Sequence, residues 1–156
     1  MVVLAILLAV GAGTIGGVFF AFSACIMQAL ADLRPAAGIA AMQRINAVIL
    51  NPLFLGVFIG TALLSLAVIV LYAVRGRGSR AGWLLASGLF YLVGSFAVTM
   101  RCNVPRNERL ARLNADTAEA AAYWPTYIRE WTAWNHVRTC ACLAAAVCAV
   151  MATASN

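Results

Sequence analysis

The sequence predicts an all-α fold: one integral membrane domain over residues 1–156, a bundle of four transmembrane helices with short interfacial helices in its first and third connections. Three observations predict it. The chain is 64% hydrophobic and 10% charged, against about 25% charged in a soluble domain, and its mean hydropathy is +0.92. That leaves too little polar surface to coat a water-soluble sphere. Charge is absent from Met1 to Ala31, between Arg44 and Arg75, between Arg80 and Arg101, and after Arg138, and each stretch reaches or approaches the roughly 20 apolar residues that cross a bilayer core. The apolar runs are also continuous rather than alternating, which selects helices over the strands of a membrane barrel.

The first span is expected near residues 3–27. It carries Gly13 and Gly17 four apart, and Ala12 and Gly16 likewise, a spacing that lets helices approach closely in lipid; a dimer contact or room for a ligand are the other readings. The opening MVVLAILL has no basic residues, which argues against a cleaved secretory signal. Residues 32–50 follow as a short interfacial helix, with Met42, Ile45 and Ile49 at helical spacing and Asn46 on the same general face. The second span is expected near 51–74 and the third near 81–100, joined by a tight turn over residues 75–80. In the long connection 101–134, Pro105 suits the first turn of a helix, and a second helical stretch from about Thr117 to Trp131 is interrupted or restarted at Pro125. The last span is expected near 135–153, with Arg138 one turn inside it.

The net charge of +6 comes from arginine alone. These arginines sit in gaps between apolar runs, not on one basic face with interleaved aromatics, so nucleic acid is not the expected partner; the lipid bilayer is. Alternation of the spans puts residues 32–50 and 101–134 on one side, and the larger arginine count assigns that side to the cytoplasm. Five cysteines without regular spacing are read as small buried hydrophobes, not a disulfide framework. With one histidine, a multi-histidine metal site is closed to a monomer, and neither a phosphate loop nor a dinucleotide fingerprint is present. No metal and no cofactor is expected.

Polar residues converge on one end of the bundle: Asn46, Asn51, Asn103, Asn107, Glu108, Trp131, Trp134, Asn135, His136 and Arg138. On a helix, Trp131, Trp134, Asn135, Arg138 and Cys142 form one stripe, and His136 points about 100° away from Asn135. A guanidinium at membrane depth costs about 2.5–3.5 kcal/mol on insertion scales. Arg138 is therefore a helix-tying hydrogen-bond hub, an anchor for a substrate oxygen, or a side chain that snorkels to the surface. Asn103 and Asn107 share a face, or one of them caps a helix. Tyr123, Trp124, Tyr127, Trp131 and Trp134 read as an interfacial belt or as rings on which a flat ligand stacks.

These motifs resemble those of the anthrone oxygenase-like family of small four-helix membrane proteins. The resemblance rests on the Gly-rich first helix running into Phe19-Phe20-Ala21-Phe22-Ser23, on Met42 through Asn46, on Asn51-Pro52-Leu53-Phe54, on Asn103-Val104-Pro105 with Asn107 and Leu110, and on Trp131 through Thr139. It departs from the family pattern at Met27 to Leu30, at Arg101-Cys102 and at Arg106. The resemblance implies oxidation of a flat aromatic or phenolic substrate by molecular oxygen without metal or flavin, in the inner membrane of a bacterial cell. Such a site needs a base, donors for a developing oxyanion and a dry flat pocket. His136 is the candidate base because its ordinary pKa lies near neutrality. Arg138, Asn135, Asn103 and Asn107 would hold oxyanions, Trp131 and Trp134 would stack on the rings, and Asn46 would contact the substrate. Two readings compete: a non-catalytic membrane module that binds a hydrophobic molecule or partner protein, and a small transporter or channel subunit. A homo-oligomer is open to all three.

Overall fold

A computed structural model describes residues 1–75 and 78–155. Among these residues the chain forms five helices: α1 (Val2–Ala31), α2 (Pro35–Val48), α3 (Pro52–Arg75), α4 (Ser79–Ala111) and α5 (Ala118–Ala154). Four of them, α1, α3, α4 and α5, are long and apolar enough to cross a membrane. This is the all-α, membrane-type bundle read from the sequence. α5 packs extensively on both α1 and α4, α4 also packs on α3, and α3 packs on α1. α1 and α5 run antiparallel: Gly16 faces Cys142, and Ser23, two turns further along α1, meets Asn135, two turns further back on α5.

The helices in the long connection differ from expectation in one respect: they are continuous with the spans. α4 does not end at residue 100 but runs through Pro105 to Ala111, and α5 starts at Ala118 and runs through Pro125 without interruption. Proline removes a helix N–H and crowds the carbonyl four residues back. Ahead of Pro105 the backbone widens into a π-helical turn over Thr99–Asn103, which relaxes that crowding, and the Arg106 guanidinium takes the Cys102 carbonyl at 2.6 Å. Pro125 lies on an exposed face, while Trp124, Tyr127 and Trp131 on either side of it are buried and hold the helix in place. Thr117 caps α5, its hydroxyl accepting from the Ala120 amide.

At 1.5 Å per residue α4 and α5 are about 50 and 55 Å long, well beyond a hydrocarbon core of about 30 Å. Their surplus turns, with the end of α1 and with α2, form a head with its own core of Met27, Ile39, Met42, Leu110, Trp124 and Tyr127. Pro35 opens α2. Gln43 of α2 donates to the carbonyls of Leu110 and Leu113, both at 2.9 Å, so α2 satisfies the end of α4. At the opposite end Arg80 donates to the carbonyls of Ala152 (3.2 Å) and Ser155 (2.5 Å), placing a cation on the negative end of the α5 dipole. The expected turn over residues 75–80 lies in part outside the described residues; Gly78, with φ of 115°, leads into α4 in a conformation that favours glycine.

The two small-residue pairs of α1 have different surroundings. Ala12 and Gly16 are buried, whereas nothing comes within 4 Å of a Cβ placed on Gly13 or Gly17. The cysteines also divide: Cys142 and Cys148 are buried as expected, but Cys25 and Cys140 are exposed on the bundle surface.

Candidate functional site

Six polar residues of α4 recur at a strict spacing of four: Ser87, Tyr91, Ser95, Thr99, Asn103 and Asn107. On a regular α-helix five such steps drift about 200° around the axis. The π-helical turns over Phe90–Ala97 and Thr99–Asn103 hold more residues per turn and take that drift back. The stripe therefore stays against its neighbours. Ser87 donates to the Ala145 carbonyl at 2.8 Å, Ser95 accepts from Cys142 at 3.2 Å, and Tyr91 donates to the Phe58 carbonyl at 3.0 Å. Thr99, Asn103 and Asn107 carry the stripe to the head end, where it meets the polar residues of α5.

Arg138 stands at that meeting point with only 4% of its surface exposed. Its Nη2 donates to Asn135 Oδ1 at 2.6 Å and its Nη1 to Thr99 Oγ1 at 3.3 Å. The guanidinium carbon lies 4.1 Å from the centre of the Phe19 ring and 5.0 Å from that of Trp131, over both faces, where the ring quadrupoles attract a cation. Its Nε is buried without a hydrogen-bond partner. Among the described residues the one ion pair is Arg106 with Glu130 at 2.9 Å, so no carboxylate neutralises Arg138. This is neither a snorkelling side chain nor a closed hub: it is a buried cation with part of its donor edge unused.

Asn135 holds the guanidinium in place. It is fully buried, and its Nδ2 donates to the Phe19 carbonyl and to Ser23 Oγ, both at 2.7 Å. Asn103 donates to the Trp131 carbonyl at 3.2 Å, and its buried Oδ1 has no partner. Asn107 is used differently from expectation: its Oδ1 accepts from Tyr127 (2.9 Å) and from the Trp131 indole (2.8 Å). Asn46 reaches the same network through the Tyr127 hydroxyl at 3.5 Å. Thus Arg138, Asn135, Asn103, Asn107, Asn46 and Trp131 are brought together. His136 and Trp134 are not: both are exposed on the outer side of α5, because one residue beyond Asn135, or one before it, turns a side chain about 100° off the inward stripe. Asn51 instead caps α3, its Oδ1 accepting from the Phe54 amide at 3.0 Å.

The sequence does not single out Phe19, Ser23 and Thr99 as members of the cluster, and it offers Tyr127 as part of a belt or as a stacking ring, not as a hydrogen-bond partner of Asn107 and Asn46. The four-residue polar period of α4 was the available signal for Thr99. Ser23 and Phe19 carry no such signal, since only the α1–α5 register reveals them. A surface hollow of about 540 Å³ between the start of α2 and the start of α5, lined by Arg34, Pro35, Asp116, Thr117 and neighbours, does not reach Arg138. Among the described residues no three His, Cys, Asp or Glu side chains are placed to hold a metal ion.

Comparison with known families places this geometry. A family model described as anthrone oxygenase matches residues 54–148. The chain belongs to the anthrone oxygenase family. The matched region holds Asn103-Val104-Pro105 with Asn107 and Leu110, and Trp131 through Thr139, two of the five segments that carry the sequence resemblance, whereas Phe19 through Ser23 and Met42 through Asn46 precede it. No curated protein and no solved structure matches the chain.

Proposed function

We propose that this member of the anthrone oxygenase family is a membrane-embedded oxygenase that oxidises a flat aromatic carbon acid of the anthrone type with molecular oxygen. The observation that carries the reading is Arg138: a buried, uncompensated guanidinium, stacked on aromatic rings, with Nε free of any protein acceptor. Charge-assisted donors in a dry site act most strongly on charge that appears during reaction. An anthrone gains such charge on its oxygen when a proton leaves the opposite ring carbon. Arg138 stabilises that enolate and makes the carbon more acidic, by one pKa unit for every roughly 1.4 kcal/mol of preferential interaction. The electron-rich carbon then bonds to oxygen, and the resulting hydroperoxide loses water to leave a carbonyl. The carbon gives up two hydrogens and gains one oxygen atom, and the second oxygen atom departs as water. Trp131 and Phe19 flank the ring system, Thr99 and Asn135 hold the guanidinium, and Asn103, one turn beyond Thr99 on α4, carries an unpartnered buried Oδ1. His136, facing outward, takes no part, and the proton passes to water at the head-side boundary.

Protein purified in detergent and given a simple anthrone is expected to accelerate oxygen uptake. Arg138→Gln is expected to lose about 100- to 1,000-fold, the usual cost of an oxyanion donor, while His136→Ala keeps its rate. A parent rate no higher than that of Arg138→Gln defeats the proposal. The full engagement of Asn135, and a hollow that stays clear of Arg138, support a second reading: a non-catalytic module that binds a hydrophobic ligand through the same cluster. Arg138-dependent binding of an anthrone with no oxygen uptake would select it.

A further inference from the structure

We infer that, without substrate, the Arg138 cluster binds a small monovalent inorganic anion of the halide class, which competes with the substrate. The inference rests on charge accounting. The chain has five acidic residues. Asp32, Glu108, Asp116 and Glu119 are exposed, and Glu130 is taken by Arg106. The hydrogen-bond partners of Arg138 are the neutral Asn135 and Thr99, and its guanidinium carbon lies over the neutral rings of Phe19 and Trp131. A charge removed from water without a partner is among the costliest groups a fold can carry. The rings soften that cost but supply no formal charge. The Nε–H bond lies in the guanidinium plane, so an acceptor approaches it edge-on, and Nε is the buried donor of Arg138 without a partner. A weakly hydrated single charge suits an apolar edge of this kind, whereas sulfate, larger and doubly charged, leaves water less readily. The anion occupies the place that the proposed function gives to the substrate oxyanion, so only the competition part of the inference depends on that function.

The test compares the purified protein in chloride, bromide, nitrate, sulfate and gluconate at matched ionic strength. At ten times the dissociation constant, chloride or bromide should raise the melting temperature by roughly 3–6 °C over gluconate, with sulfate close to gluconate. Arg138→Gln should abolish the difference among anions. Because that variant could fail to fold, Thr99→Asp gives a second arm: it sets a carboxylate beside Nη1, supplies the missing charge internally, and should also remove the halide dependence. Bromide anomalous scattering should place the ion beside Nε. Melting that ignores anion identity, or an equal halide effect in both variants, overturns the inference. If the halide effect holds and bromide raises KM for an anthrone without lowering kcat, both readings stand. A halide effect with no oxygen uptake keeps the anion site and removes the oxygenase.

Discussion

Replacing Asn135 with alanine tests whether this residue is the joint between α1 and α5. The side chain is fully buried and makes three hydrogen bonds: Nδ2 to the Phe19 carbonyl and to Ser23 Oγ at 2.7 Å each, and Oδ1 from Arg138 at 2.6 Å. In water-soluble proteins the neutral bonds would each contribute about 1 kcal/mol and the charged one about 1.5–3 kcal/mol. Interhelical bonds in membranes are weaker, averaging about 0.6 kcal/mol, because the separated helices find other partners in lipid. The Arg138 bond should stay near the higher scale, since its loss leaves a buried cation on Thr99 alone. The expected destabilisation is therefore about 3 kcal/mol, or about 6–12 °C in melting temperature for a chain of this size. The assay is thermal denaturation in detergent, with His136→Ala as the control, expected within about 0.5 kcal/mol of the parent because its side chain is exposed. Ser23→Ala should cost about 1 kcal/mol alone and less in the Asn135→Ala background, since the shared bond is already gone. If Asn135→Ala melts within about 2 °C of His136→Ala, the three bonds do not hold the bundle and the account of the joint is wrong.

Other outcomes follow from the same contacts. A Cβ at Gly94 would collide with the Ala141 methyl, so Gly94→Val is expected to cost about 1–3 kcal/mol in a melting experiment, whereas Gly17→Val, with open space around it, should change stability by less than about 0.5 kcal/mol. Asn107→Ala releases both the Trp131 indole and the Tyr127 hydroxyl; tryptophan emission should shift, and the shift should vanish in a Trp131→Phe background. Deleting Val98, between the two π-helical turns, should leave far-ultraviolet helicity intact but turn Asn103 and Asn107 about 100° from α5, lowering the melting temperature by several degrees.

The four spans were legible in the sequence because insertion into lipid is decided by composition over about 20 residues, and the charge gaps bounded by Arg44, Arg75, Arg80 and Arg101 state that composition directly. The continuity of α4 and α5 was not legible. Pro105 and Pro125 are local signals for a helix boundary, and what overrides them is tertiary: the π-helical turn before Pro105 and the aromatic packing beside Pro125. The site divides the same way. Asn135, Arg138 and Trp131 share an inward stripe that helix geometry alone predicts, but the stripe was drawn one residue too wide and took in Trp134. His136 is a candidate by its chemistry alone, and the same geometry turns it away from Asn135. The role of Asn107 was hidden because its partners, Tyr127 and Trp131, lie on the following helix at 20 and 24 residues' remove, a register no local pattern encodes.

The depth of the cluster connects the fold to the proposed chemistry. About 20 residues cross the hydrocarbon core; counted from Arg80 along α4 they end at Arg101, and counted from Ser155 back along α5 they end at Asn135. On that count Thr99, Ser23 and Arg138 fall together near the head-side end of the spans. Deeper, the guanidinium would carry a larger desolvation cost and the proton of a carbon acid would have no water to receive it. Further out, water would screen Arg138 and weaken the hold on a developing oxyanion that the proposed function asks of it. The head resolves this conflict. By extending α4 and α5 beyond the length of a bilayer core and packing α2 against them, it buries Trp131, Asn103 and Asn135, which the proposed chemistry requires of a site that meets both a lipid-dissolved ring and an aqueous proton acceptor.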